Sequence, residues 1–127
     1  RAVMLPVSAP FHSSLLKPAA DRLRIRMQDV PLVSPQIAVV NNVDVAVLND
    51  PVQIKDALAR QACNPVRWVE TVQAFAAQGV THVVECGPGK VLAGLSKRIA
   101  DGLQGYAVTD AASLNQTLEA LRLEALR

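Results

Sequence analysis

Residues 80–99 read VTHVVECGPGKVLAGLSKRI, and this stretch limits the fold more than any other. An apolar, β-branched run with little alternation has the signature of a strand covered on both faces. The Gly-Pro-Gly turn is followed by apolar residues at helical spacing, Val91, Leu92, Leu95 and Ile99. A two-faced strand feeding a helix is the unit of a parallel α/β sheet, so an α/β fold is expected.

The rest of the chain repeats that alternation. AVMLPVSAPF at residues 2–11 has strand character, with Pro6 and Pro10 placing it at an edge or a strand end. Leu15, Leu16, Ala19, Ala20, Leu23 and Met27 predict a helix over about 14–28, with Pro18 near its first turn. PQIAVVNNVD (35–44) is a short buried strand passing into an Asn-rich turn. Asp50-Pro51 and Asn64-Pro65 each give a cap-and-proline start, predicting helices over 51–63 and from 65 towards Gly79. GYAVTD supplies a last strand and residues 111–126 a last helix. Three or four strands make a sheet too small to be covered on both faces by this chain alone, so it is expected to be one part of a larger unit.

Composition narrows the function classes. With 127 residues, half of them hydrophobic, the chain can build one ordinary core. Aromatics are 3% and the net charge is +2 with acids and bases interspersed. Stacking platforms and a basic stripe are thus missing, and nucleic acid is not an expected partner. No apolar run reaches the ~18 residues of a membrane span and no signal-peptide pattern opens the chain. No membrane partner and a cytoplasmic location are therefore expected. Cys63 and Cys86 match no metal spacing and are expected to act as small buried hydrophobes. No metal and no cofactor are expected.

Two histidines are present. His82 lies within an apolar strand and is expected to be structural. His12, in SAPFHSSLL at a strand-to-helix junction, stands where α/β proteins place chemistry. A histidine base needs a nucleophile, and no GxSxG elbow occurs in the sequence. CGPGK fails as a phosphate loop, because the Walker positions are Val84 and Val91. Gln61 falls in the middle of an apolar helix face formed by Ile54, Ala57, Leu58 and Ala62, where something polar should meet it. It also lies in a last helical turn, whose carbonyls lack intrahelical partners. Such a carbonyl could accept an imidazole N–H and fix its tautomer; a buried side-chain hydrogen bond to a loop is the alternative.

LPVSAPFHSSLLKPAADRL, VVNNVD, ALARQACNPVRWVETVQ and VVECGPGKVLAGLSKRI resemble, in order and spacing, the carboxy-terminal part of the bacterial malonyl-CoA:acyl-carrier-protein transacylases. The likeness covers residues 1 to about 100. It implies an α/β-hydrolase-like parallel sheet flanked by helices, with residues 1–8 as the last strand of a small ferredoxin-like subdomain and 9–127 as the carboxy-terminal part of the large subdomain. It implies ping-pong transfer of malonyl from CoA to the phosphopantetheine thiol of acyl carrier protein through a serine acyl-enzyme. The nucleophilic serine and the arginine that holds the malonyl carboxylate belong to an amino-terminal part not contained in this sequence, so this chain alone is expected to be inactive. Carried over, His12 is the catalytic base and the carbonyl of Gln61 its orienting partner. Phe11 lines the acyl pocket, while Arg1, Lys97 and Arg98 meet the acidic carrier protein. Two other readings are an acyltransferase domain of a polyketide or fatty acid synthase, ranked lower because the chain is expected to end in a terminal helix without a linker, and a non-catalytic α/β interaction module.

Overall fold

The computed structural model describes Met4 and residues 7–125, with side chains up to Arg122. Arg1 and most of the strand expected at residues 1–8 lie outside the described residues. The chain divides into two compact units, residues 1–68 and 69–127.

In the first unit a single 3-10 turn, Ser14–Leu16, leads into α1 (Lys17–Gln28), which has a proline in its first turn where no amide donor is needed. Pro18 therefore starts this helix and does not bend it. Residues 35–44 do not form one buried strand. Val40–Asn41 (β1) and Ala46–Val47 (β2) pair antiparallel, Val40 with Val47 and Asn41 with Ala46. The Asn41 side chain organises the connection, its Oδ1 accepting from the Asp44 amide (2.8 Å) and its Nδ2 donating to Ala46 O (2.7 Å). Val45 sits there at φ 56°, a left-handed conformation costly for a β-branched residue. α2 (Pro51–Gln61) follows, capped as its sequence predicts by Asp50, which accepts from the Gln53 amide at 3.2 Å. α1 packs against α2, and Ala20, Ala57 and Ala59 are buried.

α3 (Trp68–Ala77) enters the second unit with Thr71 and Val72 fully buried, and closes at Gly79, whose φ of 81° only glycine adopts without strain. β3 (His82–Cys86) and β4 (Gln104–Val108) are parallel neighbours, His82 opposite Gln104 and Cys86 opposite Val108. α4 (Val91–Ile99) crosses between them and packs on both, and α5 (Ala111–Ala125) packs on β4. The expected α/β alternation is present here.

Two expectations about burial fail in this unit. β3 is not covered on both faces: Val84 and Cys86 are exposed. The buried positions of α4 are Ala93 and Ser96, whereas Val91 (68% exposed), Leu92 and Leu95 face outward. Close approach explains the choice. A Cβ on Gly105 of β4 would lie 2.5 Å from the carbonyl oxygen of Ala93, so α4 sits on the sheet through its small residues. Val91, Leu92 and Leu95 form a second, apolar face that stays partly exposed among the described residues.

Candidate active site

His12 occupies a loop closed by local hydrogen bonds: the Phe11 amide donates to Ala9 O at 2.9 Å, and Ser13 Oγ to Pro10 O at 2.7 Å. Its φ of 57° is left-handed, an uncommon state for any residue but glycine. Such strain persists only where surroundings dictate it, and it concentrates at working sites. The loop aims the ring at the end of α2, where Nδ1 lies 2.9 Å from the backbone carbonyl oxygen of Gln61. A carbonyl can only accept, so the ring proton of this pair is on Nδ1 and the Nε2 lone pair is left for chemistry. Among the described residues Nε2 has no protein partner. The donor and acceptor are 49 residues apart in sequence, and both belong to the first unit.

The end of α2 is fixed on two sides of Arg60. Its guanidinium donates to both carboxylate oxygens of Asp44 at 2.7 Å each, and its Nε to Asp56 at 2.6 Å. Asp56 also accepts from Arg24 of α1 at 3.2 Å, and Arg24 and Lys17 both pair with Asp21. Hydrogen bonds from Arg60 hold the Asp44 carboxyl below the usual carboxylate range, and those from Arg60 and then Arg24 do the same for Asp56. Arg60 is driven upward by the same two partners, Asp44 first. The Arg60 carbonyl accepts from the amides of Ala62 and Cys63 (the latter at 3.2 Å) and from Asn64 Nδ2 at 2.7 Å. These residues escaped the sequence reasoning. Asp56 and Arg60 at i, i+4 were a readable signal; the pairing of Arg60 with Asp44 was not.

The Gln61 side chain departs from expectation. It does line an apolar cavity of ≈ 400 Å³ with Ile54, Ala57, Leu58, Val40 and Asn41, as its place on the helix face implied. Yet its Nε2 is buried without a hydrogen-bond partner among the described residues, so the polar contact expected there is not made by that atom. Phe11 is 61% exposed beside His12 in the chain.

The other sequence-predicted residues lie in the second unit or outside the described residues. Lys97 and Arg98 are exposed in the last turn of α4, where cations complement the helix dipole. Lys97 borders a cleft of ≈ 490 Å³ together with Lys90, Tyr106 and Gln116. The start of α4 carries its own anion. Glu85 Oε2 accepts from the Ala93 amide at 2.9 Å, which agrees with reading CGPGK as a turn and not a phosphate cradle. His82 contacts Thr81 Oγ1 through Nδ1 at 2.8 Å and stacks on Tyr106 with ring centroids 6.0 Å apart. Cys63 is half-buried and Cys86 exposed, so neither is the fully buried hydrophobe expected.

No family model matches the chain. Among curated proteins, the malonyl CoA-acyl carrier protein transacylase of Salmonella typhimurium is 50% identical over 118 residues, which is 93% of this chain and 38% of that protein. The chain thus spans about two fifths of the length of the curated relatives it matches. Among solved structures, an acyl-carrier-protein S-malonyltransferase from Burkholderia pseudomallei superposes with a TM-score of 0.88 at 65% identity, covering 94% of this chain and 39% of that one. A malonyl-transacylase solved in complex with a type II polyketide acyl-carrier protein superposes with a TM-score of 0.87 at 49% identity, covering 91% of this chain and 38% of that one. With identity this high over nearly all of its length and the same backbone, the chain belongs to the malonyl CoA-acyl carrier protein transacylase family and aligns with the carboxy-terminal region of its members.

Proposed function

We propose that this chain supplies the general base of a malonyl transacylase whose nucleophile resides in the portion of the relatives that it does not span. The observation that carries the reading is the 2.9 Å contact between His12 Nδ1 and the Gln61 carbonyl, which in the neutral ring places the proton on Nδ1 and the lone pair on Nε2. In the forward half-reaction a serine hydroxyl attacks the thioester carbon of malonyl-CoA, and its proton passes to His12 Nε2. Collapse of the tetrahedral intermediate breaks the carbon–sulfur bond, and the imidazolium returns the proton to the departing CoA sulfur. The Gln61 carbonyl, at the negative end of α2, favours the imidazolium formed between these steps without itself taking a proton. In the second half the phosphopantetheine thiol of acyl carrier protein gives its proton to His12 and attacks the acyl-serine carbonyl; the ester C–O bond breaks, the imidazolium returns the proton to the serine oxygen, and the malonyl group leaves on the carrier thiol.

In this reading residues 9–127 belong to the large subdomain and residues 1–8 to the small one, with β3 and β4 part of an α/β-hydrolase-like sheet. The outward apolar residues Val84, Val91, Leu92 and Leu95 support that placement, since they offer a face for further elements to cover. Phe11, adjacent to the base, fills the acyl pocket and disfavours a branched acyl group. Lys97, Arg98 and Arg1 meet the acidic carrier protein. The enzyme acts in the cytoplasm; among the described residues no helix is long and apolar enough to cross a membrane. The test is acyl-enzyme formation in the full-length transacylase carrying this sequence: His12→Ala should slow it by about 10² to 10⁴-fold, the usual contribution of a general base. Near-normal acylation by that variant would remove His12 from the mechanism.

A further inference from the structure

We propose that Arg60 is a positioning residue for the proton-transfer group, its three-pronged attachment to Asp44 and Asp56 holding the last turn of α2 so that the Gln61 carbonyl stays on His12 Nδ1. This rests on the reading of His12 as the base. Arg60 immediately precedes Gln61, and its two ends are both anchored. The guanidinium binds Asp44 with two parallel bonds of 2.7 Å and Asp56 with a third of 2.6 Å. Its carbonyl is occupied by the amides of Ala62 and Cys63 and by Asn64 Nδ2. Donors that follow the helix are therefore gathered on Arg60 O, and the next carbonyl, that of Gln61, is left to the imidazole.

The anchor at Asp44 is itself stiff. Asp44 is tied to Asn41 Oδ1 through its amide, and the following Val45 is held left-handed with its amide bonded to Asn41 O at 3.0 Å. A β-branched residue in that conformation indicates a turn dictated by its surroundings. The bonds continue through Asp56 to Arg24 on α1, the helix that follows the His12 loop. The two segments bearing the donor and acceptor of the 2.9 Å contact are thus cross-linked through Arg60 at a distance from the ring itself. A planar fork with three donors in fixed directions does this; the single ammonium of lysine does not.

The tautomer of His12 reads the contact directly. In the full-length transacylase carrying this sequence, labelled with ¹⁵N-histidine and with the His12 signal assigned by its loss in His12→Ala, the neutral ring should carry its proton on Nδ1. Arg60→Met should move a large part of the neutral population to the Nε2–H form and lower kcat for acylation by about ten- to a hundredfold. KM for malonyl-CoA should be unchanged at matched folded fraction. Arg60→Lys should not restore the parent tautomer. Should Arg60→Met fail to fold, the nearly isosteric Asp44→Asn should shift the tautomer in the same direction by a smaller amount. Retention of Nδ1–H with parent kcat in a folded Arg60→Met, or in Asp44→Asn where only that variant folds, overturns the proposal, as does full recovery in Arg60→Lys. Failure of the base reading looks different: His12→Ala then acylates normally, whatever the tautomer does in the Arg60 variants.

Discussion

Gln61 offers a substitution pair that separates a backbone carbonyl from its own side chain. Gln61→Ala leaves the carbonyl 2.9 Å from His12 Nδ1 in place. What it removes is one buried methylene, worth about 0.8 kcal/mol, and an amide whose Nε2 is buried without a partner among the described residues. Leaving such a donor unsatisfied costs about 1 to 3 kcal/mol, so its deletion offsets the lost packing. Stability should stay within about 1 kcal/mol of the parent, and acylation should fall by less than about fivefold, the kinetic equivalent of 1 kcal/mol. Cys63→Pro does the reverse. It removes the amide that donates to Arg60 O at 3.2 Å, about 1 kcal/mol. It also places proline after Ala62, whose φ −61°, ψ −30° is the helical conformation that a following proline disfavours. The strain adds roughly 1 to 3 kcal/mol, which the turn relieves by moving residues 61–63. A shift near 1 Å of the Gln61 carbonyl should lower acylation by up to a hundredfold. The assay is single-turnover formation of the malonyl-serine intermediate in the full-length transacylase carrying this sequence, with both variants compared at equal folded fraction. Abolished acylation in a well-folded Gln61→Ala, alongside an active Cys63→Pro, would show that the side chain is the working group and that the carbonyl argument is wrong.

Phe11→Ser in that enzyme should raise methylmalonyl turnover relative to malonyl by about tenfold, what one methyl group is worth in a tight pocket; an unchanged ratio in competition assays would place the selectivity elsewhere. Gly105→Ala should destabilise by about 1 to 3 kcal/mol or more in urea titrations, because its Cβ would meet Ala93 O at 2.5 Å; a neutral result would mean that α4 is free to lift from β4. The Asp44 and Asp56 carboxyls are held below the usual carboxylate value of 3.8 in the native state, so their contribution is complete above about pH 5 and is lost as pH falls through 3.8 and below. The urea midpoint should drop across that window and drop less in Asp44→Asn, and equal acid sensitivity of the two proteins would contradict the assignment.

Local chemistry was the legible part of the fold. Asp50-Pro51, the glycine at 79 and the GPG turn after Cys86 act within a few residues, and the helices start and stop close to where those signals put them. Burial was less legible, because hydrophobicity says that a residue wants cover without saying which surface provides it. In α4 the sequence pattern gathers Val91, Leu92, Leu95 and Ile99 on one side, yet the buried positions are Ala93 and Ser96, and it is Ala93 that closes on Gly105 of β4. A helix with one large-residue face and one small-residue face can serve two neighbours, the small face where backbones come close. Residues 35–44 misled for a related reason. A β-branched run implies extended chain, but whether it becomes a sheet strand depends on partners, and here Asn41 bends it into a two-residue ladder whose turn presents Asp44 to Arg60.

The same distinction governs the site. His12 could be singled out as a candidate because histidine is rare here and its junction is informative, and the end of α2 because any helix end leaves carbonyls unclaimed. Which carbonyl faces the ring is decided by contacts between segments dozens of residues apart. Of the carbonyls in that last turn, Arg60 O is taken by the amides of Ala62 and Cys63 and by Asn64, and Gln61 O is the one that meets the imidazole. The side chain of Gln61 was an attractive object for sequence reasoning because a polar group on an apolar stripe demands explanation. Its amide nitrogen is instead the group without a partner, while the atom that contacts His12 is one that every amino acid possesses. A backbone acceptor leaves no residue-type signature of its own, so its trace must be sought in the side chains that hold it still: Arg60, Asp44, Asp56 and Asn64.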